Sequence, residues 1–218
     1  MTKTTDAQQI AAMSRLGLET VSIEITGLSP MLLHNGQLAN PLNPYAKRLG
    51  ELHKEKKRKG VDKDKILAEI ADVEWEGGLY WSDEFGPIIE GSAIHTAIVN
   101  GARQTRCGRD IERYVQVLPH ETPLIYSGPR DLEGLRADPQ FMDQRMVKIG
   151  QVKVLRSRPR FFPWSLGFTA AFSSEGIHQD DLLRHIEATG RFEGLMDGRK
   201  KGFGRFQITK IDGKGIGS

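Results

Sequence analysis

Apolar and polar positions alternate with period two in three stretches of the chain. Val21, Ile23 and Ile25 alternate with Ser22, Glu24 and Thr26, and Trp164, Leu166, Phe168, Ala170 and Phe172 alternate with small or polar residues. Arg205 to Ile211 repeats the pattern. Such alternation puts one face of each stretch against a core, so each predicts a half-buried strand. Leu182, Leu183 and Ile186 form an apolar stripe behind Asp180 and Asp181, acidic residues that favour a helix start, and Gly190 supplies a stop. A further helix is expected behind Ser92 as N-cap, with Ile94, Ala97, Ile98 and Gly101 on its inner face. Near the end of the chain the order is strand, helix, glycine-rich loop, strand, which is the second half of a ferredoxin-like unit. The fold class expected is therefore α+β: a ferredoxin-like (RRM-like) antiparallel sheet with helices on one face.

Other stretches fill in that frame. Met1 to Leu18 predicts weak structure or a short helix. From Gly27 to about Gly78 the chain departs from the minimal fold: Asn40-Pro-Leu-Asn-Pro44 leads to two charged segments, Tyr45 to Lys59 and Asp62 to Val73. These read as a helical hairpin broken at Gly60, an excursion inserted at about 28–78. Trp75 to Phe85 predicts a β-hairpin around Ser82-Asp83, with Trp81 and Tyr80 on opposite faces. Val115 to Ser127 offers two short strands around Pro119–Pro123, and Gly128 to Pro139 is turn-rich. Arg145 to Trp164 mixes strand formers with cations, and its phase changes around Gly150, which implies a turn or bulge there. No linker divides the 218 residues, so one elaborated domain, 1–218, is expected, and 38% hydrophobic content is enough for its core.

Charge adds little in total and more in its placement. Lys plus Arg number 31 against 28 Asp plus Glu, and the isoelectric point near 9.0 is only mildly basic, so net charge alone does not imply nucleic acid. The densest run, His53-Lys-Glu-Lys-Lys-Arg-Lys59, is interrupted by Glu55 and carries no aromatic, and it reads first as a solvated helix face, with nucleic-acid contact the other reading. The single cysteine, Cys107, excludes an intramolecular disulfide and a multi-cysteine zinc site and fits a reducing cytoplasm. No apolar run has the length of a membrane span, and Met1 to Gln9 lacks the apolar core of a secretory signal, so a cytoplasmic protein is expected.

Candidate chemistry concentrates in Gly194-Leu-Met-Asp-Gly-Arg-Lys-Lys-Gly-Phe-Gly-Arg-Phe206. Gly198, Gly202 and Gly204 permit positive φ and close main-chain approach, while Arg199, Lys200, Lys201 and Arg205 supply cations, a combination suited to phosphates. Arg156, Arg158 and Arg160 lie at period two, roughly 6–7 Å apart on a pleat, near the spacing of phosphates along a single strand. Phe161, Phe162 and Trp164 fit a core better than a stacking platform. Arg103, Arg106 and Arg109 follow a helix end, where the dipole alone favours cations and phosphate contact is the other reading. No His/Cys/Asp/Glu grouping has ligand spacing, and no Walker loop, nucleophile elbow or dinucleotide fingerprint is present, so no metal or cofactor is expected.

The loop ending Gly202-Phe-Gly-Arg-Phe206, placed between the last helix and the last strand, resembles the signature of the RAMP superfamily, the RNA-binding proteins of CRISPR systems. Gly86-Pro-Ile-Ile-Glu-Gly-Ser-Ala-Ile-His-Thr-Ala-Ile-Val-Asn-Gly-Ala-Arg103 is similar to the strand-to-helix passage of many such proteins, with Glu90 where that motif usually has proline. The resemblance implies non-catalytic binding of RNA, or single-stranded DNA, through the phosphate backbone by a backbone-type subunit of a CRISPR effector complex or a viral or mobile-element relative. It implies side-by-side self-association along the strand, or assembly with other CRISPR-like subunits. Two further readings come with it. Ribonucleases of this fold use a histidine as general base, which makes His34 the one catalytic candidate, and a protein-interaction module that borrows the fold is the other.

Overall fold

The structure, a computed structural model, describes residues 6–149 and 151–215. The turn expected at Gly150, the side-chain alternation at Val152 and Lys153 and the expectation for Met1 to Thr5 lie outside the described residues. In chain order the elements are α1 (Asp6–Arg15), β1 (Glu19–Gly27), β2 (Met31–Leu32), α2 (Pro44–Glu55), α3 (Lys63–Gly78), β3 (Trp81–Ser82), β4 (Gly86–Glu90), α4 (Gly91–Arg103) and α5 (Gly108–Tyr114). There follow β5 (Val115–Leu118), β6 (Glu121–Pro123), α6 (Leu132–Ala137), β7 (Met142–Ile149), β8 (Val152–Phe161), β9 (Ser165–Phe172), α7 (Gln179–Ala188), β10 (Phe206–Ile211) and β11 (Lys214–Gly215). They form two compact units.

The first unit takes the chain up to Met31, Trp81–Ser127, and everything from Phe162 onward. Its sheet has the order β11-β10-β1-β9-β5, antiparallel throughout. With α4 and α5 between β1 and β5, and α7 between β9 and β10, the connectivity is that of the ferredoxin-like fold. The alternation read from the sequence sets the layers: Val21, Ile23, Ile25, Leu166, Phe168 and Ala170 are buried, while Ser22 and Glu24 between them are exposed. Ile94, Ala97 and Ile98 of α4 and Leu182 and Ile186 of α7 are buried as well, so each helix offers its apolar stripe to the core. A small sheet, β3-β4-β6, completes the unit.

The second unit takes Leu32–Tyr80 and Gly128–Phe161. Here α2 and α3 form the helical hairpin that the charged segments predicted. Asn43 and Asp62 cap the two helices, accepting from Tyr45 N–H at 2.9 Å and from Lys65 N–H at 3.1 Å. Leu49, Leu52, Ile66 and Ile70 make the core between the helices, with Leu38, Val61 and Val73 packed around it. The β7–β8 hairpin pairs from Met142↔Pro159 to Ile149↔Val152, and α6 lies in the stretch read as turns.

Three further local expectations differ from the structure. Trp75 to Gly78 is not hairpin but the last turn of α3, because Trp75 is fully buried and its indole N–H donates to the Phe141 carbonyl at 2.9 Å; only Trp81–Ser82 pairs, with Gly86–Pro87. Glu90, not Ser92, precedes the first turn of α4, and the Ser92 hydroxyl donates to the Glu90 carboxylate at 3.1 Å. The last helix does not stop at Gly190: it continues as a π-helical turn, Thr189–Glu193, and ends at Gly194 with φ 82°. The reason is tertiary, since a Cβ at Gly190 would stand 2.3 Å from the Phe206 carbonyl, so that position serves close packing on β10.

His185 on α7 and His53 on α2 are both held below the usual imidazole value of 6.5, in each case first by burial. Asp181 and Asp110 oppose the shift at His185 and Arg184 adds to it; Glu74 opposes it at His53, while Lys56, Arg156 and Lys57 add to it. A depressed folded-state value means the unfolded chain takes up the proton first, so this part of the stability is complete above about pH 6.5 and is lost as pH falls below it. The midpoint of urea unfolding is expected to drop between pH 7 and pH 5.5, and replacing His185 by Gln is expected to flatten that slope.

Candidate nucleic-acid interface

The glycine-rich loop is closed at its base by backbone contacts between its two arms. The Leu195 N–H donates to the Gly204 carbonyl at 2.9 Å, and the Gly204 N–H donates to the Pro30 carbonyl at 2.8 Å. A Cβ at Gly204 would lie 2.0 Å from the Leu195 carbonyl oxygen, and one at Gly194 would lie 2.7 Å from that of Phe203; both residues have positive φ, 68° and 82°. These two glycines let the arms cross in contact. Between them Gly198 and Gly202 take left-handed conformations on either side of a 3-10 turn, Arg199–Lys201. The turn closes through Lys201 N–H to the Gly198 carbonyl at 2.7 Å.

Ser29, just after β1, ties the loop to the sheet. Its hydroxyl donates to the Gly202 carbonyl at 2.8 Å and accepts from the Arg205 N–H at 2.9 Å, and its carbonyl accepts from the Trp164 indole at 2.9 Å. The Leu28 N–H adds a bond to the Arg205 carbonyl at 2.7 Å. The sequence reading missed Ser29. Its only trace there is a lone hydroxyl before Pro30, a pattern shared by many turns.

The four loop cations divide into two pairs. Arg199 donates to Glu193 at 2.8 Å, and Arg205 donates through Nη2 to the Arg199 carbonyl at 3.2 Å. The Arg205 Nη1 is buried without a partner. Both guanidinium groups thus brace the loop from inside. Lys200 and Lys201 are exposed, and their ammonium groups hold no hydrogen bond or ion pair among the described residues. The outward charge of the loop is these two ammonium groups, point charges suited to phosphates without demanding one geometry.

The arginines of β8 are in the second unit and are more constrained. Arg156 pairs with Glu74, which is only 4% exposed, and the second oxygen of that carboxylate accepts from the Ser157 N–H at 3.0 Å. Arg158 is half-buried, and Arg160 donates to the Gln140 carbonyl at 3.1 Å. Phe161 is buried in the second unit and Trp164 in the first, so both aromatics are core; Phe162 is 43% exposed. Arg103, Arg106 and Arg109 are exposed at the α4–α5 junction. The sheet face opposite α4 and α7 carries Ser22, Glu24, Thr26, Gln116, Gly167 and Thr169.

His34 is exposed just beyond β2. Among the described residues no group of His, Cys, Asp or Glu is placed to hold a metal ion, and no helix is long and apolar enough to cross a membrane.

No family model matches this sequence, and no curated protein does. Among solved structures, the chain is similar to a chain in the cryo-EM structure of the type III-B Cmr-beta bound to cognate target RNA, with a TM-score of 0.50 and 11% sequence identity. The match covers 95% of this chain and 64% of that chain, so this chain spans less than two thirds of its neighbour's length. At that identity the likeness is one of fold: an α+β protein of antiparallel sheets and helices.

Two substitutions separate the roles of the glycines. Gly204→Ala forces both a left-handed alanine and a backbone clash and is expected to cost at least about 2 kcal/mol in chemical denaturation, whereas Gly202→Ala, which meets open space, is expected to cost about 1 kcal/mol. Arg156→Ala strands the buried Glu74 carboxylate and is expected to lower stability by about 3 kcal/mol, a loss that denaturation would register with or without nucleic acid present.

Proposed function

We propose that this chain is a non-catalytic, single-strand nucleic-acid-binding protein of the RAMP type, that its ligand is RNA, and that it holds the strand through the phosphates as a subunit of a CRISPR-like ribonucleoprotein. The observation that carries this reading is the stapled loop between the last helix and the last strand of a ferredoxin-like unit, which presents Lys200 and Lys201 outward with no acidic partner. The fold likeness to a chain from a complex bound to target RNA supports it. Lys200 and Lys201 contact successive phosphates, and the open side of Gly202, where nothing lies within 4 Å of a Cβ position, leaves room for the backbone to approach. Gly198 and Gly204 shape the turn, and Arg199 and Arg205 keep it from collapsing. In the second unit Arg158 and Arg160 offer further phosphate contacts, while Arg156 serves Glu74. Association with further copies along the strand, or with other subunits, follows from the family resemblance.

Phosphate contacts release counterions, so affinity falls with salt, by about 0.7 log units per log unit of salt for each contact to a single strand. Fluorescence anisotropy of labelled single-stranded RNA and DNA across a salt series is expected to show steep dependence for the wild type. Lys200→Ala/Lys201→Ala is expected to weaken binding and to reduce the salt slope by about 1.4. Salt-insensitive binding, or an unchanged slope in the variant, would refute the loop as the phosphate site and favour an apolar protein interface instead.

A further inference from the structure

Away from the loop, a second group of cations converges at the junction of α4 and α5. Arg103, Arg106 and Arg109, with Gly108 and Glu112, line an open surface pocket of about 390 Å³. All three arginines are exposed. Arg103 Nη1 donates to Asn100 Oδ1 at 2.9 Å, and the guanidinium groups of Arg106 and Arg109 hold no hydrogen bond or ion pair among the described residues. A Cβ at Gly108 would lie 2.5 Å from Arg103 Cγ and 3.0 Å from the Val99 carbonyl. The missing side chain lets the start of α5 close on α4, which brings Arg109 beside Arg103.

The backbone at this junction fixes where Arg106 stands. The Cys107 N–H donates to the Ala102 carbonyl at 3.0 Å and the Arg106 N–H donates to the Arg103 carbonyl at 3.1 Å, the two nested bonds of a Schellman cap. That cap sets one residue in the left-handed region, where glycine is the favoured occupant because a Cβ crowds the following carbonyl. Here the residue is Arg106, with φ 65°. The cap therefore holds the Arg106 side chain at the mouth of the pocket that Arg103 and Arg109 also line.

Charge narrows the ligand class. A backbone phosphodiester carries a single negative charge, whereas a phosphate monoester carries about −1.5 to −2 at neutral pH. Three guanidinium groups around one pocket, offset by one carboxylate at Glu112, exceed what one diester neutralises and match a monoester, whose oxygens accept the forked N–H donors of arginine. We propose that Arg103, Arg106 and Arg109 form a binding pocket for a phosphate monoester, carried by the end of a nucleic-acid strand or by a mononucleotide. The strand-end form rests on the strand binding proposed above; the mononucleotide form does not.

Two titrations of the full chain test this. In the first, one single-stranded RNA is prepared with a 5′-hydroxyl, a 5′-phosphate or a 3′-phosphate and bound under identical salt. In the second, AMP and adenosine are compared by calorimetry. A terminal phosphate is expected to tighten strand binding about fivefold or more, or AMP to bind where adenosine does not, and the probe that gains identifies the source. Arg106→Gly is expected to abolish the phosphate-dependent gain while its melting temperature stays equal or rises, and Lys200→Ala/Lys201→Ala is expected to leave the ratio between phosphorylated and hydroxyl RNA unchanged. Equal affinity for all three RNAs together with no preference for AMP would overturn the pocket, as would a gain that survives both Arg106→Gly and Arg103→Ala/Arg109→Ala. If no RNA binds at all, the proposed function fails, and AMP against adenosine alone decides the pocket.

Discussion

The tie between Ser29 and the glycine-rich loop is the constraint on which the candidate interface depends. One hydroxyl donates to the Gly202 carbonyl and accepts from the Arg205 N–H, while the carbonyl of the same residue holds the Trp164 indole. A bond of this kind contributes about 1 kcal/mol net, which matters less than its effect on order. A free loop would lose conformational entropy when it met a ligand, whereas this loop has already lost it on folding. Gly194 and Gly204 make the arrangement possible, since no other residue lets the two arms pass at backbone contact with positive φ.

Within each unit the cations separate by chemistry. In the loop the guanidinium groups of Arg199 and Arg205 meet Glu193 and the Arg199 carbonyl, and in the second unit those of Arg156 and Arg160 meet Glu74 and the Gln140 carbonyl, because a planar fork of donors can satisfy fixed acceptors at partly buried sites. The ammonium groups of Lys200 and Lys201 remain in water. The arginines of the α4–α5 junction are exposed and share one surface pocket. Three like charges offset by the single carboxylate of Glu112 cost stability through repulsion, and left-handed backbone at Arg106 adds to the cost.

The second unit shows a different use of charge. Its helical hairpin is charged along most of its length, yet its core is the apolar group Leu49, Leu52, Ile66 and Ile70. Glu74 is the exception, a buried carboxylate satisfied at both oxygens by Arg156 and the Ser157 N–H. Removing either partner leaves a charge in a poorly solvated place. That arrangement joins α3 to β8, two elements far apart in the chain.

Periodicity carried most of what could be read without coordinates. Alternation at Val21–Ile25, Leu166–Phe172 and Phe206–Ile211 and the stripes on α4 and α7 were legible, because burial on one face is written locally in strand and helix spacing; so were the loop and its cations. Where the helices end was not. Trp75 extended α3 through a bond to Phe141, and contact with Phe206 rather than a local stop decided Gly190. The same holds for function: the sequence determined which residues are cationic, while only tertiary structure decided which of them face water. Ser29 stands 176 residues from Arg205 and Glu74 stands 82 from Arg156. Partners at such separations leave no periodic trace, because they are chosen by the packing of the folded chain and not by the spacing along it.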